Sequence, residues 1–364
     1  MTAPLGDLGI RERLEAREES LSPYAQRSPS TEGRGRERPE PPDPLGTAFQ
    51  VDRDRILHTK AFRRLMHKTQ VFIAPLGDHY VTRMTHTLEV VSLSRAVARA
   101  LELNEDLVEA IGLGHDLGHT PFGHLGEGVL AELYPGGFRH NRQSLRIVDV
   151  LEGEGRGLNL TWEVRQGILT HSKARKDIVG NMEAVSTLEA QAVRLCDAIA
   201  YINHDLDDAF RAGMLTEADL PPLVRETLGA SPTERRNTLI ADVILASWAA
   251  TGRVPQPEEG KRPEIRMSPR VQEAANALRE FLFQRCYLVA ASEEQAERAR
   301  EVLRLLYRQY TRNPEKVTSE FRLRAETPQQ AAVDYIAGMT DRYALRVAEE
   351  IKPGISKGIF EHRI

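Results

Sequence analysis

From about Val51 onward, apolar residues recur at mixed three- and four-residue spacing, and that spacing leaves the chain few folds to choose from. In DRDRILHTKAFRRLMHK the apolar positions are Ile56, Leu57, Phe62, Leu65 and Met66, the stripe of an amphipathic helix. THTLEVVSLSRAVARALEL repeats the pattern with Leu88, Val91, Leu93, Ala96, Val97 and Leu101. Asn104 stands just ahead of EDLVEAIGLGHD, where its short amide can cap a helix N-terminus. Gly112, Gly114 and Gly118 weaken that helix towards its end. Helices are also expected over RQSLRIVDVLE, TWEVRQGILTHS and TLEAQAVRLCDAIAYINHDLDDAFRAG, and three more follow towards the C-terminus. Only QVFIAP has strand character. The chain is therefore expected to be all-α, with at most a small β-hairpin near residues 70 to 82.

Composition bounds the class. Hydrophobic residues are 41% and charged residues 28%, ordinary values for a soluble globular protein. A net charge of −4 provides no global basic field for nucleic acid. The two cysteines, Cys196 and Cys286, are too few for a disulfide framework or a four-cysteine zinc site, and point to a reducing cytoplasm. No apolar run approaches the roughly 18 residues of a membrane helix, and MTAPLGDLGIRERLEAREES has no signal-peptide pattern. Residues 1–45 are rich in Pro, Gly, Arg and Glu and read as a flexible segment. Residues 46–250 read as the core, 251–269 as an exposed loop, and 270–364 as a C-terminal helical part.

Titratable side chains crowd into GLGHDLGHTPFGHLGE, residues 112–127, which holds His115, Asp116, His119, His124 and Glu127. Neighbouring residues on a helix point about 100° apart, so His115 and Asp116 share a metal only if both side chains converge from one edge. Imidazole and carboxylate together suit a borderline or hard divalent ion. Two ligands do not hold a metal, so others must come from elsewhere. His86 in RMTHTLEV and Asp197 in RLCDAIAYINHDLDDA are polar residues set against apolar helix faces. Taken alone, a buried His or Asp is more often a hydrogen-bonded core residue than a ligand. The run as a whole is harder to explain that way, because Gly114, Gly118, Gly123 and Gly126 let the backbone approach something closely.

In this order, His86, then His115 with Asp116, then Asp197 resembles the H…HD…D signature of the HD-domain metal-dependent phosphohydrolases. RDRILHTKAFRRLMHKTQVF, GLGHDLGHTPFGHLGE, FRHNRQSLRI, DAIAYINHDLDDA and DYIAGMTDRYA are together similar to the deoxynucleoside triphosphate (dNTP) triphosphohydrolases, the dGTPase-like branch, from about residue 50 to 345. The resemblance implies an HD-domain helical fold whose C-terminal extension completes the site and an oligomer interface. It implies one divalent metal ion per subunit on His86, His115, Asp116 and Asp197. Two nitrogens and two carboxylates suit Mn²⁺, Fe²⁺ or Co²⁺ better than Mg²⁺, although Mg²⁺ can still be the working ion. The implied reaction is water attack at the α-phosphorus, releasing deoxynucleoside and triphosphate.

With that resemblance the glycines of the run read as room for a triphosphate, and further residues take implied roles. His124 with Glu127, at i and i+3, forms a catalytic dyad, and His119 contacts phosphate or assists proton transfer. His140 in FRHN matches another active-site histidine, and which histidine is the acid stays open. Arg83 matches a phosphate ligand; Lys173 and Lys176 are weaker cation candidates. Tyr201 and Asp205 share a helical face with Asp197 and match residues for phosphate or sugar and for the 3′-hydroxyl. Gln70 and Val71 fall where the sugar is read, and Tyr335 packs on sugar or base. Glu127 stands where some relatives have Asp, and Ala198 where some have a lysine, so another basic residue should supply that charge. The implied partners are a dNTP substrate, an activating dNTP at a subunit interface, further copies in a homo-oligomer (a hexamer by analogy) and single-stranded DNA, with no membrane. The competing readings are a nucleotidase or phosphodiesterase of the same superfamily, or a catalytically silent nucleotide- or nucleic-acid-binding regulator.

Overall fold

The computed structural model describes residues 8–28, 35–70, 81–172, 177–182, 184–255, 262–287, 293–357 and 359. Among them are sixteen α-helices and no β-strand. Extended backbone pairs only in two isolated antiparallel bridges, Arg36 with Thr161 and Thr69 with Thr82. The hairpin expected near residues 70 to 82 falls mostly outside the described residues, as do Val71, Lys173 and Lys176.

The chain forms two compact units, each assembled from stretches far apart in sequence. The first comprises Met1–His58, Thr87–His115 and Asn159–Phe281; the second comprises Thr59–His86, Asp116–Leu158 and Leu282–Ile364. The boundaries read from the sequence at 45, 250 and 269 run in chain order, whereas these units interleave.

The first unit is built on the Glu105–Gly114 helix. Asn104 caps it as expected, its side-chain oxygen accepting from the N–H groups of Asp106 and Leu107. The helix packs against Ala48–Leu57, Trp162–Thr170 and Leu188–Arg211. Gly114 makes that packing close: a Cβ there would sit 2.5 Å from Ile168 Cδ1. The 24-residue Leu188–Arg211 helix, capped by Thr187, carries Asp197, Tyr201 and Asp205. In the second unit Glu293–Arg312 packs against Gly123–Leu133, Pro328–Ala337 and Asp341–Ile351.

The segment read as flexible carries a helix at Ile10–Arg17 and is tied down by polar contacts. Arg36 pairs with the buried Asp52, which also accepts from the Thr161 N–H at 2.8 Å. Glu18 accepts from the Ser28 N–H, the Ser28 hydroxyl and the Asn104 amide. Glu189 accepts from the Gln26 and Asn104 N–H groups at 2.9 and 3.1 Å. These contacts were not foreseen because a segment rich in Pro, Gly, Arg and Glu reads as flexible, and its anchors are single polar side chains.

Burial raises Glu189 to about 7, against the opposing pull of the Asn104 and Gln26 hydrogen bonds, and Glu18 raises it further. Its folded pKa lies above its ordinary 4.5, so its contribution to stability is full below pH 4.5 and is lost as pH rises through 7. Between pH 4.5 and 7.5 the wild type should therefore lose about 3 kcal/mol more stability than Glu189→Gln, an order-of-magnitude figure. Urea unfolding across that range checks this; parallel profiles for the two proteins contradict it.

Candidate active site

His115 follows directly on Gly114, at the end of the central helix of the first unit. Its Nδ1 lies 2.7 Å from the carbonyl of Gly112. A carbonyl only accepts, so Nδ1 carries the proton and Nε2 presents a lone pair. Nε2 lies 3.9 Å from Asp197 Oδ1. His171 is fixed in the same way, its Nδ1 2.7 Å from the Ile168 carbonyl. Its ring stands edge-on to His115, with centroids 5.0 Å apart. Sequence reading passed over His171, because THSK drew attention to the lysines and a single histidine at a helix end gives no signal.

In the second unit the buried Asp116 carboxylate has two close partners. Oδ2 accepts from Arg83 Nη1 at 2.8 Å, and Oδ1 lies 3.2 Å from His119 Nε2. His86 Nε2 lies 3.9 Å from Oδ2, too far for a hydrogen bond. Arg83 opens the Arg83–Ala100 helix and His86 follows one turn later. The Arg83 guanidinium also reaches the carbonyl of the buried Gln70 at 3.5 Å.

His119 leads into a group of three imidazoles and one carboxylate. Its ring stacks on His140, with centroids 4.0 Å apart and planes 15° off parallel. His124 stands edge-on to both, at 5.4 and 6.4 Å. Glu127 sits between His124 and His140. Its closer partner is His140, whose Nδ1 is 3.0 Å from both carboxylate oxygens and whose backbone N–H donates to Oε1 at 2.9 Å. The i, i+3 contact with His124 Nδ1 is longer, at 3.5 Å, and the His124 side chain is 56% exposed. Burial would raise Glu127, but hydrogen bonds from His124 and His140 outweigh it and hold the carboxyl far below its usual range. Burial first, then Arg83 and His140, press His119 well below the usual imidazole value, and Asp116 only partly offsets them.

Local geometry explains the glycines of this run. A Cβ on Gly118 would lie 2.3 Å from both the His140 carbonyl and the Ser144 nitrogen, so the loop lies directly on the first turn of the His140–Arg146 helix. A Cβ on Gly126 would meet the Pro121 carbonyl at 2.1 Å. The close approach expected of these glycines is thus to protein backbone.

Asp205 is buried, with Oδ1 2.8 Å from His204 Nδ1, and the half-buried Tyr201 has its ring 5.9 Å from that of His204. Both lie on the Leu188–Arg211 helix with Asp197, in the first unit. In the second unit the Tyr335 hydroxyl lies 2.9 Å from that of Tyr343, and its ring packs against Tyr310 and Phe321.

Two family models match the chain. Residues 83–202 match the HD domain, and 265–350 match the phosphohydrolase-associated domain. A deoxyguanosinetriphosphate triphosphohydrolase-like protein of Caldanaerobacter subterraneus subsp. tengcongensis is 50% identical, over 97% of this chain and 98% of its own length. A protein of the same description from Desulfatibacillum aliphaticivorans is 48% identical, over 94% of this chain and 97% of its own. The chain belongs to the deoxyguanosinetriphosphate triphosphohydrolase-like family. A phosphohydrolase from Bacteroides thetaiotaomicron shares the fold at 16% identity and a TM-score of 0.51, over 85% of this chain and 72% of its own. All of His86, His115, Asp116 and Asp197 fall within the HD match. Among the described residues no helix is long and apolar enough to cross a membrane.

Gly118→Ala should lower stability by about 1–3 kcal/mol, because the added carbon meets backbone that cannot turn aside. Denaturant unfolding measures this, and an unchanged midpoint would show that the loop is not in contact with the His140–Arg146 helix.

Proposed function

We propose that this protein hydrolyses deoxynucleoside triphosphates to deoxynucleoside and inorganic triphosphate. One observation carries the reading: Arg83, Asp116, His119, His140, Glu127 and His124 form a continuous polar array. It lies in a chain half identical to a protein described as deoxyguanosinetriphosphate triphosphohydrolase-like.

By family resemblance a divalent ion is assigned to His86, His115, Asp116 and Asp197, and the separations within each unit support two of the ligand pairs. The Gly112 carbonyl leaves His115 Nε2 as the coordinating nitrogen. The His115–Asp197 and His86–Asp116 pairs are each separated by 3.9 Å. Bonds of about 2.0–2.2 Å put two ligand atoms on one ion about 3 to 4.3 Å apart. Such an ion, when bound, stabilises charge on the phosphoryl group. Manganese, magnesium, iron(II) and cobalt(II) are the candidates.

The reaction forms a bond from a water oxygen to the α-phosphorus and breaks the bond from that phosphorus to the sugar 5′-oxygen. The 5′-oxygen needs a proton as it leaves, and water must lose one. His124 with Glu127 is assigned the proton transfer; its exposure leaves the imidazole accessible to a substrate. His119 and His140 stack beside it and are assigned to the phosphate, with Arg83 supplying positive charge near the reacting centre. Gln70, Val71, Tyr201, Asp205 and Tyr335 are assigned to the sugar, base and remaining phosphates by family resemblance. That resemblance also supports residues 46–250 as the catalytic core and 270–364 as completing it. It further supports a hexamer, an activating dNTP between subunits, single-stranded DNA as an additional partner and work in the cytoplasm.

The test is chromatography of the products formed with metal and each dNTP singly, then with all four together. Triphosphate and deoxynucleoside are expected; free phosphate as the product overturns the reading. His124→Ala should keep its metal while kcat falls about 100-fold or more. Release of triphosphate near the wild-type rate removes the dyad assignment.

A further inference from the structure

Lys68 and Asp341 are two buried charged residues that the proposed chemistry does not use. Lys68 Nζ donates to the His119 carbonyl and, at 2.7 Å, to the Ala337 carbonyl at the end of the Pro328–Ala337 helix. Asp341 Oδ1 accepts from the Phe122 N–H at 3.0 Å. Its Oδ2 accepts from the Thr69 N–H at 3.0 Å and from the Thr69 hydroxyl. One dipeptide, Lys68–Thr69, and one turn, residues 337–341, thus grip the loop at two points three residues apart.

The second point is a strained one. Phe122 has φ 61° and ψ 25°, a left-handed conformation that a bulky residue rarely adopts. Such a conformation persists only where the surroundings over-determine it. Phe122 is also the N-cap of the Gly123–Leu133 helix and makes no side-chain cap bond. That helix carries His124 on its first turn and Glu127 at the start of its second.

We infer that Lys68 and Asp341 are positioning residues, which clamp the Asp116–Phe122 loop and so set His119, His124 and Glu127 relative to one another. The inference rests on the proposed function for its kinetic consequence and on geometry alone for the clamp. Burial above all, then Arg64 and Arg83, bring Lys68 down to about 7, with Asp341 and Asp116 opposing. Charged or neutral, the amine keeps at least two N–H bonds, one for each carbonyl.

The test is Lys68→Met, which keeps most of the aliphatic stem and removes the donors. Amide hydrogen exchange in peptides spanning residues 116–124 should speed up about tenfold or more, while the Glu105–Gly114 helix is unchanged. With dNTP substrate, kcat should fall about 100-fold with KM within about threefold, as expected when reacting groups are misplaced and binding is spared. Asp341→Asn, which keeps one acceptor, should give a smaller loss. Unchanged exchange over 116–124 in a folded Lys68→Met protein overturns the clamp whatever the activity. Faster exchange with unchanged kcat overturns the positioning role. If the wild type releases no triphosphate but exchange still responds, the assigned reaction falls and the clamp stands. Should Lys68→Met fail to fold, Thr69→Val removes only the hydroxyl bond to Asp341 and is read by the same exchange measurement.

Discussion

The ion pair between Asp116 and Arg83 is the contact on which the second unit's polar cluster depends. Asp116 is 4% exposed and Arg83 1%, so neither charge is solvated by water. Removing one partner of such a pair leaves the other buried and uncompensated, a loss of about 3–5 kcal/mol. The pair therefore fixes geometry as well as charge. Arg83 sets the start of the helix that carries His86, and Asp116 sets the turn that returns to His119. Because one oxygen is given to Arg83 and the other faces His119, the carboxylate plane cannot rotate freely.

Glu127 plays the complementary part at the other end of the cluster. It accepts from both the backbone N–H and the ring of His140, the first residue of a helix, where an anion is favoured. That double hold explains why Glu127 stays with His140 and leaves His124 at a longer distance. The two carboxylates thus bracket three imidazoles of unequal freedom: His119 and His140 are buried and stacked, whereas His124 is exposed. Groups of one chemical type held in different environments are how a site separates its roles.

Much of this was legible in the sequence because it follows local rules. Helix periodicity gave the all-α class, Asn104 announced its cap, and the run from His115 to Glu127 pointed to the polar cluster. What was not legible depends on contacts between distant residues. His140 is thirteen residues from Glu127, and no spacing rule links them; the i, i+3 rule pointed to His124 instead. No sequence pattern singled out Lys68, yet it is buried against two carbonyls. The glycines of the run read as room for a triphosphate, whereas Gly118 and Gly126 lie against protein backbone. Arg36 and Glu18 sit in a segment whose composition suggested flexibility, and only their tertiary partners Asp52 and Asn104 reveal otherwise.

The order of the matched families along the chain conceals how they depend on each other. The HD match ends at residue 202 and the phosphohydrolase-associated match begins at 265. Yet the histidine loop and the C-terminal helices belong to one compact unit. The His140–Arg146 helix is held at its far end by Asp334, which takes Arg146 at 2.7 Å and Gln143 at 3.0 Å. The end of the Gly123–Leu133 helix is tied in the same direction, through Tyr134 to Gln330 at 2.6 Å. Phe122 and His119 are held through Asp341 and Lys68, the latter also bound to Ala337. Each of these anchors is a directional hydrogen bond, made by a residue beyond 325 except at His119, where Lys68 is the donor and is itself tied to Ala337. The helices matched to the associated domain thus help hold the loop and helices that carry His119, His124 and His140 of the HD match.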